Sequence, residues 1–193
     1  MIKRLALGAF AWLALSAGAP ANAASYNFSF SLNVPSGPDY AIAGIITTGG
    51  LDSGGSGGYD ITGISGHFSA DGGTTNYSFN QLDSPGTCCG GTPNDNLFFY
   101  PPDPSNATTP GYLSYPGLAF FVSGYNAGDD VNLYYVPFDG SYGLSDDINP
   151  DGYGGGTFTA SPTPLPATLP LFAGGLGMIG LLGARKRRKA RAA

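Results

Sequence analysis

The sequence predicts an all-β fold: a single sandwich or jelly-roll-like domain of about 8–9 strands, set between an N-terminal signal helix and a C-terminal transmembrane helix. Three observations carry this. Residues 24–163 hold all twelve Tyr and ten of the twelve Phe, with many Thr, Ser and Asn and no Lys or Glu, a composition that favours strands over helices. Glycine supplies 25 of those 140 residues, about 18% where about 7% is ordinary, so tight turns are plentiful. Several stretches alternate apolar and polar side chains with a period of two.

Residues 1–23 read as a secretory signal peptide. Lys3 and Arg4 make the basic start, residues 5–16 the apolar core, and Ala21-Asn22-Ala23 a small-x-small cleavage site. The apolar core is too short for a transmembrane helix, and cleavage is expected after Ala23.

The exported β-domain then runs over 24–160. Tyr26, Phe28, Phe30, Leu32 and Val34 alternate with Asn27, Ser29, Ser31 and Asn33, the clearest strand in the chain. Pro35-Ser36-Gly37-Pro38 ends it. Further strands are expected over 40–48, 59–70 and 74–82, the last after the turn Asp71-Gly72-Gly73. Residues 83–96 read as an irregular loop. Short strands follow over 97–100, 112–115, 118–123 and 131–137, with 140–144 and 156–160 closing the sheet. In 131–137 both alternating sets contain apolar residues, so both faces of that strand are partly covered.

Charge divides the chain sharply. All eight Lys and Arg lie at the ends: Lys3, Arg4, and six in 185–191. All thirteen acids are Asp, and all lie between Asp39 and Asp151. The processed domain would carry a formal −13, against −5 for the whole chain. It can make no Lys or Arg ion pair. Nucleic acid is excluded as a partner, because phosphate neutralisation needs cationic side chains. Anionic membrane surfaces repel the domain for the same reason. Divalent cations and neutral hydroxylated polymers remain compatible, and so does plain solubility.

The tail completes the layout. Residues 161–168 are a Pro-rich linker, residues 169–184 an uncharged run, and residues 185–193 a basic end. Sixteen residues of helix span about 24 Å, short of the roughly 30 Å hydrocarbon core. Gly174, Gly175, Gly177, Gly180 and Gly183 thin the run further. Such a segment suits a temporary stop. The basic cluster after it stays on the cytoplasmic side and leaves everything upstream outside.

Pro164-Leu165-Pro166-Ala167-Thr168, the run Leu171-Phe172-Ala173-Gly174-Gly175-Leu176-Gly177 and the basic end together resemble a PEP-CTERM sorting signal, the tail recognised by exosortases in Gram-negative bacteria. This tail also carries the label of an ice-binding-protein C-terminal domain. The usual Glu between the two prolines is Leu165 here, which is similar to a Pro-Leu-Pro variant of the signal. The start of a sortase motif is similar too, but the Gly it needs next is Leu169. The resemblance implies export, insertion in the inner membrane with a periplasmic domain, cutting near 164–168 by an exosortase-type enzyme, and release or transfer to the cell surface. The implied partners are that enzyme, the export machinery, the membrane and extracellular polysaccharide. The runs 95–100, 117–120 and 131–135 resemble an exported domain found ahead of such tails, which implies no defined activity.

Chemistry-bearing residues are few. Asp147-Ile148-Asn149-Pro150-Asp151-Gly152 matches the first half of a calcium loop, with Asp147, Asn149 and Asp151 as ligands. The closing Glu is replaced by Phe158, so Asp129, Asp130 or Asp146 would have to substitute; the same cluster is ordinary turn chemistry. Cys88 and Cys89 are adjacent, which allows a strained ring, a cross-link between chains, or two small loop residues. His67 is the single histidine, and no Gly-x-Ser-x-Gly elbow accompanies it. Asp129/Asp130 and Asp146/Asp147 are the neighbouring carboxylates, without a Glu or Arg to orient a glycoside. The tyrosines would stack on sugars if several lay exposed on one face, or pair across strands in the core. The sequence therefore points to no catalytic residue, no cofactor other than calcium, and an exported surface or matrix component. A secreted hydrolase and a calcium-dependent carbohydrate binder stand as alternatives.

Overall fold

The computed structural model describes residues 24–35, 37–105, 111–125 and 129–163. The signal peptide with Ala21 and Ala23, the sorting motif at Pro164, Leu165, Pro166, Ala167 and Thr168, the run 169–184 and the basic end lie outside the described residues. Within the described residues no helix is long and apolar enough to cross a membrane.

Twelve strands form: β1 (Ala24–Leu32), β2 (Tyr40–Leu51), β3 (Tyr59–Ser69), β4 (Tyr77–Phe79), β5 (Gln81–Leu82), β6 (Gly86–Cys88), β7 (Thr92–Asn94), β8 (Leu97–Phe98), β9 (Leu118–Phe121), β10 (Asp130–Val136), β11 (Ser141–Asp146) and β12 (Tyr153–Pro162). Nine of them follow one path, β4-β3-β2-β1-β12-β11-β10-β9-β5. Every pairing is antiparallel. Because β4 and β5 are separated by Asn80 alone, the two ends of the path belong to one short stretch of chain. The sheet is therefore nearly closed, which removes most of the unpaired edge a long sheet would expose.

The described residues are all-β, and nine strands on one path agree with the expected 8–9; their arrangement is one nearly closed sheet where a sandwich or jelly roll is expected. A jelly roll needs strands that cross between two sheets; here sequence neighbours lie side by side, in a meander from β4 back to β1 and from β12 back to β9. Two local expectations change as well. Residues 83–96 contain the hairpin β6–β7, and residues 112–115 form no strand but a single bridge between Leu113 and Phe98.

Alternation decides which side chains fill the interior. Phe28, Phe30 and Leu32 of β1 are buried, while Asn27, Ser29 and Ser31 are exposed. Ile42, Ile46, Ile64, Phe68, Phe120, Leu133, Leu144 and Phe158 join them from the other strands. Opposite Phe28 stands Gly44, opposite Gly44 stands Gly66, and opposite Gly66 stands Phe79. The missing side chains make room for the rings that lean over from either side. At one end, Phe98 plugs the interior, 4.8 Å from Tyr26 and stacked with Tyr100 and Tyr112. At the other end Phe68 meets Tyr125 edge-on at 4.5 Å, and Tyr40 packs against Tyr153.

The second end holds a buried carboxylate. Asp146 is 1% exposed. Its Oδ2 accepts from the Tyr125 hydroxyl at 2.9 Å, and its Oδ1 from the N–H groups of Ile148 and Asn149. These donors stand where a cation would be expected, in a domain that has none. Burial, and then the bond to Asp146, push the Tyr125 phenol well above its ordinary range.

The segment between β5 and β9 is a cover. Asn96 ties it down. Its N–H donates to the Gly117 carbonyl, its Nδ2 to the Asp83 carbonyl at 2.7 Å, and its Oδ1 accepts from the Ala119 N–H at 2.9 Å. Asn96 adopts φ +52°, a conformation asparagine tolerates better than most residues. So fixed, β6–β7 lies over the outer face of β9 and β10, where Cys88, Cys89 and Ala119 form a second small core. This is why β10 and β11 are buried on both faces while β1 alternates.

Candidate functional site

Where the cover meets the barrel wall, a shallow cleft of about 90 Å³ opens. It is lined by Thr92 and Pro93 of the cover, Tyr115 and Pro116 before β9, Asn132 and Tyr134 of β10, and Pro150 and Asp151 of the β11–β12 turn.

Tyr134 points outward from β10 and lies against Gly143 and Gly152; a Cβ at either glycine would collide with its ring. Burial, and then the neighbouring Tyr115, raise its phenol pKa above the ordinary value. Tyr115 stands edge-on to it, with ring centres 6.4 Å apart and planes at 74°. Tyr115 is 61% exposed. The pair makes a two-walled aromatic corner with one wall open to solvent.

Asn132 forms the floor and is 1% exposed. Its Nδ2 donates to the carbonyls of Pro93 at 3.2 Å and Pro116 at 2.9 Å, which joins the cover to the wall. Its Oδ1 has no partner among the described residues. Four other buried polar atoms share that condition: Asn94 Oδ1, Asp130 Oδ1, Ser145 Oγ and Asn149 Nδ2. All belong to the same neighbourhood. Ser145 is the cross-strand partner of Asn132, Asp130 lies two residues along the same face, Asn94 sits in the cover, and Asn149 in the turn beside Pro150. Native folds leave few such groups, so five in one layer is a concentration.

Acidic side chains border the layer. Burial, followed by Asp147, Asp83 and Asp129, pushes Asp130 up to about 6. The two thiols lie over Ala119. Hydrogen bonding from Cys89 lowers the Cys88 thiol, and that same bond, with burial, raises Cys89.

Asp147, Asn149 and Asp151 fall in the β11–β12 turn. The carboxylate that organises the turn is Asp146, just before them, and the Gly152 N–H closes it on the Asn149 carbonyl. Asp151 is exposed and lines the cleft. Among the described residues no three His, Cys, Asp or Glu side chains form a group that could hold a metal. His67 is exposed on the outer face of β3, between Ala43 and Ser78, and lines no part of the cleft.

Tyr115 carries no motif in the sequence, and the likeness of the run 131–135 assigns no role to Asn132 or Tyr134. The available signal was an asparagine in a strand with apolar residues on both faces. Such a residue is covered, and its amide must find partners.

Compared with protein-family models, with curated proteins and with solved structures, the chain matches none. The class is defined by the fold alone: an all-β protein built on a nearly closed antiparallel sheet of nine strands.

Proposed function

We propose that this chain is an exported, non-catalytic β-domain, a structural or adhesive component of the cell envelope or of extracellular polymer. A leader over 1–23 starts its export. A marginal apolar run over 169–184 halts it in the inner membrane with the domain in the periplasm. An exosortase-type enzyme then cuts at Pro164–Leu165–Pro166–Ala167–Thr168 and frees it to the surface.

The single observation behind this is the separation of charge. Every Lys and Arg sits in a segment that processing would remove, and every carboxylate side chain sits in the part that would remain. A domain of formal charge −13 is held off anionic surfaces and stays dispersed outside the cell. The outward position of His67 supports a structural histidine over a triad member. The interior supports the same reading: aromatic and aliphatic side chains occupy it.

Fractionation of cells making the wild-type chain, and a variant with the six basic residues of 185–191 replaced by Gln, tests this. Wild type is expected at the surface or in the medium in a shortened form. The variant, lacking its cytoplasmic stop, is expected outside and uncut. Equal distribution and equal length of the two would overturn the proposal.

A further inference from the structure

The cleft between cover and barrel is built rather than incidental. Tyr134 lies in the space that Gly143 and Gly152 leave open, so its ring is seated against the wall. Pro93, Pro116 and Pro150 stiffen the three segments that frame it. A preorganised wall of this kind spends little free energy on ordering when a ligand arrives. At about 90 Å³ the cleft is smaller than an enclosed small-ligand pocket, so a ligand of sugar size would lie across its mouth, on the exposed Tyr115, rather than inside it.

Its chemistry narrows the ligand. No Lys or Arg lies anywhere in 24–163, and Asp151 stands on the rim, so an anionic ligand finds no counter-charge. An extended peptide would pair with a free strand edge, but the three prolines give the rim no N–H at those positions. A bare cation finds no group of three acidic or sulfur ligands among the described residues. What the walls do offer is an exposed aromatic face at Tyr115, the exposed Asp151 carboxylate on the rim, and the Thr92 hydroxyl, which donates to the Cys88 carbonyl at 3.2 Å and is left to accept. A flat apolar ring beside acceptors and a hydroxyl matches a ligand with a C–H face and several hydroxyl groups.

We propose that this cleft binds a neutral saccharide, with one sugar ring laid on Tyr115 across the mouth of the cleft and its hydroxyls donating to the Asp151 carboxylate and the Thr92 hydroxyl oxygen. This deepens the adhesive reading and rests on it only for where the ligand is met. The binding itself requires no cut tail, so an unprocessed chain would leave it standing.

The test is titration of the full chain, by calorimetry and native mass spectrometry, with hexasaccharides of glucose, mannose and xylose in β-1,4, β-1,3 and α-1,4 linkage. Saturable binding of at least one is expected, undiminished by a chelator. Tyr115→Ala should weaken it about tenfold, while Tyr115→Phe keeps most of it. Phe138→Ala, at a still more exposed aromatic outside the cleft, should leave it unchanged. Both Tyr115 variants alter an exposed side chain, so circular dichroism should match wild type. If no hexasaccharide binds at millimolar concentration, if Tyr115→Ala binds as well as wild type, or if the chelator abolishes binding, the proposal is overturned. A preference for an acidic polymer such as alginate, or for a proline-rich peptide, would overturn it equally.

Discussion

Gly44 and Gly66 face each other across β2 and β3, and the rings of Phe28 and Phe79 occupy the space their side chains would take. A Cβ on Gly66 would meet the Ala43 carbonyl, the Phe79 ring at 2.6 Å and the Gly44 Cα at 2.7 Å. Two of these are backbone atoms that cannot rotate away. Gly66→Ala should therefore cost about 2–3 kcal/mol, the upper part of the ordinary range for overpacking. Thermal unfolding followed by circular dichroism measures it. An unchanged midpoint would show that the sheet bends elsewhere.

Asn96 fixes the cover through its N–H and Nδ2, which donate to Gly117 and Asp83, through its Oδ1, which accepts from the Ala119 N–H and from Asn94 Nδ2, and through a bond from the Ile61 N–H to its carbonyl. Asn96→Gly keeps the φ +52° conformation accessible and loses only the side-chain bonds. Asn96→Ala loses both. The expected order of stability is wild type, then Gly, then Ala, with Ala lower by about 3 kcal/mol. Hydrogen exchange of the 86–94 backbone should accelerate in both variants. Equal stability of Gly and Ala would remove the conformational part of this explanation.

Tyr125 supplies a side-chain hydroxyl to the buried Asp146 Oδ2. Tyr125→Phe keeps the ring against Phe68 and withdraws that donor. A loss of about 2 kcal/mol is expected in denaturant unfolding, since a hydrogen bond to a charged group is at stake. Tyr40→Phe, at the adjoining ring whose phenol burial pushes up to about 12, should cost less. Equal costs would mean that packing, not the carboxylate, sets the effect.

Asp130 gives the fold a pH dependence. An aspartate titrates near 3.8 in the unfolded chain, and burial with three acidic neighbours pushes this one up to about 6 in the fold. Between those values the folded state holds a proton that the unfolded state has released. Stability from this group therefore falls as pH rises through that window, and the loss is complete above it. After allowance for solvent screening, about 1 kcal/mol is involved. Asp130→Asn should flatten the difference and raise the midpoint at pH 7 by about 4 °C. A variant that tracks wild type at every pH would contradict the raised value.

β1 was legible in the sequence because it is exposed on one face: Phe28, Phe30 and Leu32 alternate cleanly with serines and asparagine. The bounds of β3 and β10 were legible within a residue or two for the same reason of strong side-chain pattern. The hairpin β6–β7 was not. Its three-residue strands carry no alternation, and what holds them is remote: Asn132 donating to Pro93, and Asn96 binding Asp83 and Ala119. The meander was not legible either. Closure depends on Asn80 handing the chain from β3 to β9, and one residue leaves no periodic trace. Residues 112–115 look like a strand, yet the Tyr112 carbonyl accepts from the Phe99 N–H and the Ser114 carbonyl from the Tyr135 N–H, so no ladder continues. Of the cleft, the sequence singles out Asp151 alone as a ligand, for calcium. Tyr115, Asn132 and Tyr134 converge only after the cover has folded.

The charge division is tested most directly by mass spectrometry of the native protein, recovered with its cell fraction. The expected species begins at Ala24, ends near residues 164–168, carries no Lys or Arg, and comes from the cell surface or the medium. A chain that keeps Met1 in the cytosol, or that reaches Ala193 while permanently embedded in the membrane, would contradict it.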